Sequence, residues 1–350
     1  MFTILIFLSS GLFLGWSLGA NDAANVWGTA VGTKMIRFKS AALVCSIFVI
    51  LGAVISGAGA SHTLGKLGAI SELAGAFTVA LAAALSVFWM TKAALPVSTS
   101  QAVVGAIIGW NLFSKSAIDM KALTKILGTW VFSPILSAIV AVILYFLVVL
   151  SLKVWKVHLI RLDGFTRMAL LAAGAFGSYS LGANNIANVM GVFVESTSEI
   201  FTSINFGSLF QISGVQQLFF LGGAAIAVGV FTYSKRVMMT VGSGIYQLSP
   251  ITAFIVVLSS SIVLFFFASK GLKGFLVSHN LPSFPLVPVS SSQSIVGAVI
   301  GVGLAKGGKN LNLKVLGRIS LGWVATPVIA ATITFVALFI VQNVFGQIVF

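Results

Sequence analysis

The sequence predicts an all-α polytopic membrane protein of about ten transmembrane segments, or twelve counting broken helices, arranged as two inverted-topology repeats. Three observations carry this. Hydrophobic residues make up 58% of the chain, charged residues 7%, and mean hydropathy is +1.10, whereas a soluble domain carries roughly 25% charged residues. Apolar runs of spanning length recur along the whole chain between Lys and Arg residues, and a helix needs about 20 such residues to cross the hydrocarbon. Two long polar motifs each occur twice, in the same order. The runs lack period-two alternation, which excludes a closed β-barrel.

The apolar segments lie at about 2–33, 40–60, 73–91, 94–113, 126–150, 168–194, 209–233, 251–268, 285–305 and 316–342. The first has no positive region before it, since the first basic residue is Lys34, and reads as a retained helix rather than a signal peptide. The first and sixth are interrupted by Gly/Asn-rich patches. The fourth and ninth open on Pro and a Ser-rich cluster.

Net charge is +14, but the cations lie in the connections. Six of the 20 follow even-numbered segments: Lys66, Lys115, Lys121, Lys125, Lys270 and Lys273; the rest follow odd ones. This bias puts the odd connections in the cytoplasm and both termini outside. It accounts for the charge by topology and anionic lipid, with no nucleic-acid partner. Cys45 is alone, so no internal disulfide forms. His62, His158 and His279 show no metal-ligand spacing.

The internal repeat organises the chain. "GANDAANVWG" (19–28) recurs as "GANNIANVMG" (182–191), and "PVSTSQAVVGAIIG" (96–109) as "PVSSSQSIVGAVIG" (288–301). A weaker echo pairs "WVFSP" (130–134) with "WVATP" (323–327). Residues 1–152 form the first repeat, 153–167 a cytoplasmic linker, and 168–350 the second repeat. Each repeat holds five segments. Five is odd, so consecutive copies enter the membrane from opposite sides, an architecture that puts substrate near the midplane on interrupted helices.

In the second motif, Pro96 precedes a Ser98–Gln101 pair with the form of a capping box, so a helix starts near Ser98. Its first turn offers free backbone N–H groups and a positive dipole end. With the hydroxyls of Ser98, Thr99 and Ser100 and the amide of Gln101, this is an anion cradle without a cation. Ser290, Ser291, Ser292 and Gln293 repeat it. Two such starts facing one another suit a tetrahedral oxyanion. The bland reading is ordinary capping and Ser-mediated helix packing, which duplication with a matching Gln disfavours.

In the first motif, Asn21, Asp22 and Asn25 share one helical turn, with Asp22 and Asn25 at i, i+3. Asn184, Asn185 and Asn188 are their counterparts. An intramembrane carboxylate costs roughly 3 kcal/mol or more and marks a functional site by default. Asp22 repels an anion held by the Ser clusters, so the site needs a compensating cation. Na⁺ on Asp22, Asn25 and Asn188 supplies it, and so does a proton on Asp22. Either links anion binding to cation binding, the thermodynamic core of symport.

These motifs resemble those of the inorganic phosphate transporter family, cation-coupled phosphate symporters. The resemblance rests on "GANDAANVWGT", "GANNIANVMG", "PVSTSQAVVGA" and "PVSSSQSIVGA" in that order and spans nearly the whole chain. It implies a helical fold with inverted repeats and a plasma-membrane location. Phosphate would be bound by Ser98–Gln101 and Ser290–Gln293, with substrate or cation binding by Asp22 and Asn25. No organic cofactor is implied, only Na⁺ or H⁺ as coupling ion, and a homodimer is compatible with it. Three departures stand out. Asn185 occupies a position where members usually carry Asp. Apolar residues around Val49 and Val257 stand where many members carry Glu in the second span of each half. A large central hydrophilic loop is also missing. Compact relatives that move sulfate make sulfate the nearest rival. An anion channel would show basic pore rings, and a membrane-embedded enzyme would show a nucleophile–base pair or metal cluster; neither is found in the sequence.

Overall fold

The structure, a computed structural model, describes residues 2–68, 70–92, 97–155, 158–206, 210–241, 248–308 and 311–350. The first half contains α1 (Phe2–Gly32), α2 (Phe38–Ser56), α3 (Ala58–Gly68), α4 (Leu73–Lys92), α5 (Thr99–Ser114) and α6 (Met120–Trp155). The second contains α7 (Leu159–Met190), α8 (Gly214–Thr232), α9 (Ser234–Val241), α10 (Pro250–Ala268), α11 (Lys270–Ser278), α12 (Ser291–Ala305) and α13 (Leu313–Asn343). A small antiparallel hairpin of β1 (Ile204–Phe206) and β2 (Phe210–Ile212) links α7 to α8, with Ile204 opposite Ile212.

Among the described residues, seven of the ten expected segments are helices long and apolar enough to cross a membrane: α1, α2, α4, α6, α8, α10 and α13. The other three differ for physical reasons. Helix α7 has 32 residues but carries Arg161, Asp163 and Arg167 near its start and three Asn near its end. Helices α5 and α12 have 16 and 15 residues, about 24 and 23 Å at 1.5 Å per residue, short of a hydrocarbon core of about 30 Å. Both begin later than the apolar runs at 94–113 and 285–305, because Ser98 and Ser290 are their N-caps. Each cap is in extended conformation and accepts from a backbone N–H three residues on. Pro96 lies outside the described residues. The stretch 153–167 falls largely within the ends of α6 and α7.

The halves interlock reciprocally. Helix α1 packs on α8 while α7 packs on α2, and α5 packs on α13 while α12 packs on α6. Glycines allow each approach. A Cβ on Gly19 would strike the Ile226 carbonyl, and one on Gly182 the equivalent Val49 carbonyl. On the other pair, Gly105 and Gly109 abut Pro327 and Ala331, while Gly297 and Gly301 abut Pro134 and Ala138. The small-xxx-small spacing lets backbones touch, and it gives the "WVFSP"/"WVATP" echo its role: those prolines receive the short helix of the opposite half.

The packing also corrects one alignment. Val49 lies on α2 against Gly182, so its counterpart is Ile226 on α8, which abuts Gly19; Val257 lies on α10, which packs on α7 as α4 packs on α1. Val49 and Ile226 are both fully buried and apolar. The large apolar side chains left exposed include Phe132, Ile139 and Phe146 on α6 and Val328, Phe335 and Phe339 on α13, as expected of helices facing hydrocarbon in a multi-pass membrane protein.

Candidate anion and cation site

The polar motifs of the two halves meet at the start of α5 and the start of α12, and each motif reaches the helix start of the other half. Asp22 and Asn25, on α1, meet α12: Ser291 Oγ donates to Asp22 Oδ2 at 2.8 Å, and Asn25 Nδ2 donates to Ser291 Oγ at 3.3 Å. Asn188, on α7, meets α5: its Nδ2 donates to Ser100 Oγ at 2.8 Å and to the Oδ1 of Asn185, on its own helix, at 2.9 Å. Asn184 fixes the segment leading into α12. Its Nδ2 donates to the Val289 carbonyl at 2.7 Å and its Oδ1 accepts from the Val289 N–H at 3.1 Å. Ser100 Oγ donates to that same carbonyl at 3.2 Å. Asn21 takes a different course: its Nδ2 donates to Thr91 Oγ1 at the end of α4, at 2.7 Å.

Every residue expected at the site, Asn21, Asp22, Asn25, Ser98–Gln101, Asn184, Asn185, Asn188 and Ser290–Gln293, is at most 5% exposed. Polar side chains this deep are normally all hydrogen-bonded. Here several atoms have no partner: Asp22 Oδ1, Thr99 Oγ1, Gln101 Oε1, Asn185 Nδ2, Asn188 Oδ1 and Gln293 Oε1. The capping box is therefore only half made. Ser98 and Ser290 accept from the Gln101 and Gln293 N–H groups at 3.2 Å, but neither Gln oxygen is returned to the backbone of its cap. Both amides stay available to a ligand.

The chemistry of the set is divided. The carboxylate of Asp22 and the amide oxygen of Asn188 are acceptors of the kind a hard cation takes. They are two of the three expected Na⁺ ligands; the third, Asn25, spends its amide nitrogen on Ser291. The first-turn N–H groups of α5 and α12 that the Ser98 and Ser290 caps do not take, the Thr99 hydroxyl and the Asn185 amide nitrogen are donors suited to an oxyanion.

Two participants, Thr91 and Val289, escaped the sequence reading, and one further buried polar group on α1, Thr29, lies on the same helix face as the motif. Thr91 lies in the last turn of an apolar helix, with no motif around it. Val289 contributes only backbone atoms, which no sequence pattern reveals. Thr29 Oγ1 is buried without a partner; its spacing of seven from Asp22 and four from Asn25 on α1 was a readable signal, since it extends the same helix face.

Residues 18–334 match the model of the Phosphate transporter family. The chain is 29% identical to "Putative phosphate permease MJ0630" of Methanocaldococcus jannaschii, over 93% of each chain. It is 30% identical to "Sulfate permease CysP" of Bacillus subtilis, over 93% of this chain and 84% of that one. The fold matches a solved structure described as "The sodium-dependent phosphate transporter", with a TM-score of 0.74 and 24% identity, covering 97% of this chain and 100% of the other. This protein belongs to the Phosphate transporter family.

Proposed function

We propose that the chain imports inorganic phosphate by symport with Na⁺, with H⁺ as the alternative coupling ion, through alternating access of two inverted repeats. Both termini face outside, and the oxyanion binds near the midplane between the halves. The observation that carries this is the reciprocal seating of the polar motifs. The one acidic side chain in the site, Asp22, is hydrogen-bonded to an α12 residue, Ser291, at the start of an anion-cradling helix. Cation and anion sites thus share a hydrogen-bond network, and occupancy of one changes the free energy of the other. Orphaned oxygens on Asp22 and Asn188 favour a cation with several oxygen ligands over a lone proton. The donors of Ser98–Gln101 and Ser290–Gln293 hold the oxyanion, and a phosphate that keeps a proton also donates to a carboxylate.

Sulfate is the second reading, favoured by the 30% identity to a sulfate permease. Uptake of labelled anion into liposomes, with Na⁺ and pH gradients imposed separately, tests both. Phosphate accumulation driven by inward Na⁺ is expected. Sulfate uptake that excess phosphate fails to inhibit replaces phosphate as substrate, and flux indifferent to both gradients refutes symport.

A further inference from the structure

The cation-poor face of the protein holds a basic vestibule. Four of the six Lys that follow even-numbered segments line one cavity of about 640 Å³: Lys121, Lys125, Lys270 and Lys273. Asp119, at the start of α6, also lines it; its Oδ1 accepts from the Lys121 and Ala122 N–H groups at 2.9 and 3.0 Å. Lys270 faces a neighbouring cavity of about 550 Å³ as well, together with Glu195.

Local physics disfavours this placement. Lys121 and Lys125 are spaced i, i+4 on α6, and Lys270 and Lys273 i, i+3 on α11, spacings at which like charges destabilise a helix. Lys121 and Lys270 also stand in the first turns of their helices, where the macrodipole opposes a cation. The positive-inside bias does not explain them, because it concentrates cations on the other face.

The segment that walls the cavity runs on to the site. The wall includes Ser283, Phe284, Leu286 and Val287, part of the non-helical stretch between α11 and α12. That stretch passes from exposed at Ser283 to fully buried at Val287 and beyond. It is pinned by Thr63 Oγ1, which donates to the Leu286 carbonyl at 2.7 Å, and by Phe284 stacked on Phe266 with ring centroids 5.0 Å apart. Ser290, the α12 cap, is three residues past Val287, no more than about 10 Å of chain.

We propose that this lysine-lined cavity is the outer capture site for the transported oxyanion, concentrating a multivalent phosphate or sulfate before it descends along 283–290 to the α12 cradle. The assignment rests on the transport reading given above and adds the route of approach. A cleft of one sign raises local counter-ion concentration and on-rate about 10- to 1,000-fold, and salt removes the effect as the Debye length shrinks to about 10 Å or less.

The test uses the full-length protein in phosphatidylcholine liposomes, which contain no anionic headgroup. The double variants Lys121→Gln/Lys125→Gln and Lys270→Gln/Lys273→Gln are each expected to raise the apparent KM for phosphate (or sulfate) about three- to tenfold at low ionic strength, with Vmax held. In roughly 0.5 M inert salt the difference should fall below twofold, and the matching Lys→Arg variants should retain the wild-type KM. An unchanged KM at low salt overturns the proposal. So does a KM change that appears only when phosphatidylglycerol is added, which assigns these lysines to lipid headgroups. A second readout needs no transport. In a Cys45→Ala background, Lys125→Cys should react at least fivefold faster with an anionic than with a cationic methanethiosulfonate reagent of like size, a ratio that collapses when Lys270→Gln/Lys273→Gln is added. Equal rates overturn the vestibule. Biased rates in a protein that moves neither anion retain the vestibule and refute the transport reading instead.

Discussion

Ser291→Ala tests the link between the halves most directly. Its hydroxyl donates to Asp22 Oδ2 at 2.8 Å and accepts from Asn25 Nδ2 at 3.3 Å, and both bonds are buried. A hydrogen bond to a charged group contributes about 1.5–3 kcal/mol. At about 1.4 kcal/mol per tenfold change, losing it weakens the ion-bound site about 10- to 150-fold. The longer Asn25 bond adds a buried donor left without its partner. The repeat supplies the control. Thr99 is the Ser291 counterpart on α5, and its hydroxyl has no protein partner, so Thr99→Val removes no bond of this kind. Phosphate uptake by reconstituted protein, measured as a function of Na⁺ at fixed phosphate, gives the readout. Ser291→Ala should raise the half-saturating Na⁺ concentration at least tenfold, whereas Thr99→Val should leave it within twofold and raise the KM for phosphate. Equal Na⁺ dependence in Ser291→Ala and wild type would refute the claim that Ser291 couples α12 to the acidic motif.

Asp22→Asn should still fold, because Asn185 already occupies the equivalent position in the second half, but its uptake should lose dependence on Na⁺ or stop; wild-type cation dependence in liposomes counts against a coupling role. Asn184→Ala strands the buried Val289 N–H and leaves the Val289 carbonyl with only the Ser100 hydroxyl, at about 1–3 kcal/mol for the buried group left unsatisfied. The melting temperature of the detergent-solubilised protein should fall by several degrees, and an unchanged melt would show that water replaces both bonds. Gly297→Leu forces a side chain into the Pro134 carbonyl, an overpacking cost of about 1–3 kcal/mol or more. Lowered thermal stability is expected there, and a Leu at the exposed Gly128, which has open space around it, serves as the neutral comparison.

The local features of the site were legible in the sequence and the pairing was not. N-caps at Ser98 and Ser290 follow from residues within one turn, and Asp22 was conspicuous because a carboxylate in an apolar run is costly. Which helix start serves which motif is tertiary. It is decided by glycine contacts between distant helices, such as Gly19 with Ile226 and Gly182 with Val49, that no local period encodes. The Gln101 and Gln293 amides had the spacing of a capping box yet leave it open, because spacing permits a bond without requiring it. The lysines of the vestibule read as separate connections along the chain; only the folding together of α3, α6 and α11 puts them in one cavity.

The two copies differ in how their hydroxyls point, and that difference divides the labour. At α12, Ser291 donates its hydrogen bond to a carboxylate. At α5, Ser100 accepts from Asn188 and donates to the Val289 carbonyl, and the adjoining Asn185 is uncharged with a free amide nitrogen. An oxyanion therefore meets repulsion near the α12 start and donors near the α5 start. On the proposed reading, the cation sits with Asp22 and the anion leans toward Asn185. Asn185→Asp inverts that arrangement. Two unit charges about 6–8 Å apart at an effective dielectric near 20 repel by about 2–3 kcal/mol, more than tenfold in affinity. The KM for phosphate at fixed Na⁺ should rise at least tenfold in this variant and recover in part as Na⁺ is raised, because a second cation then neutralises the new carboxylate. A KM equal to wild type at low Na⁺ would place the anion away from α7, and the asymmetry of the site would need another explanation.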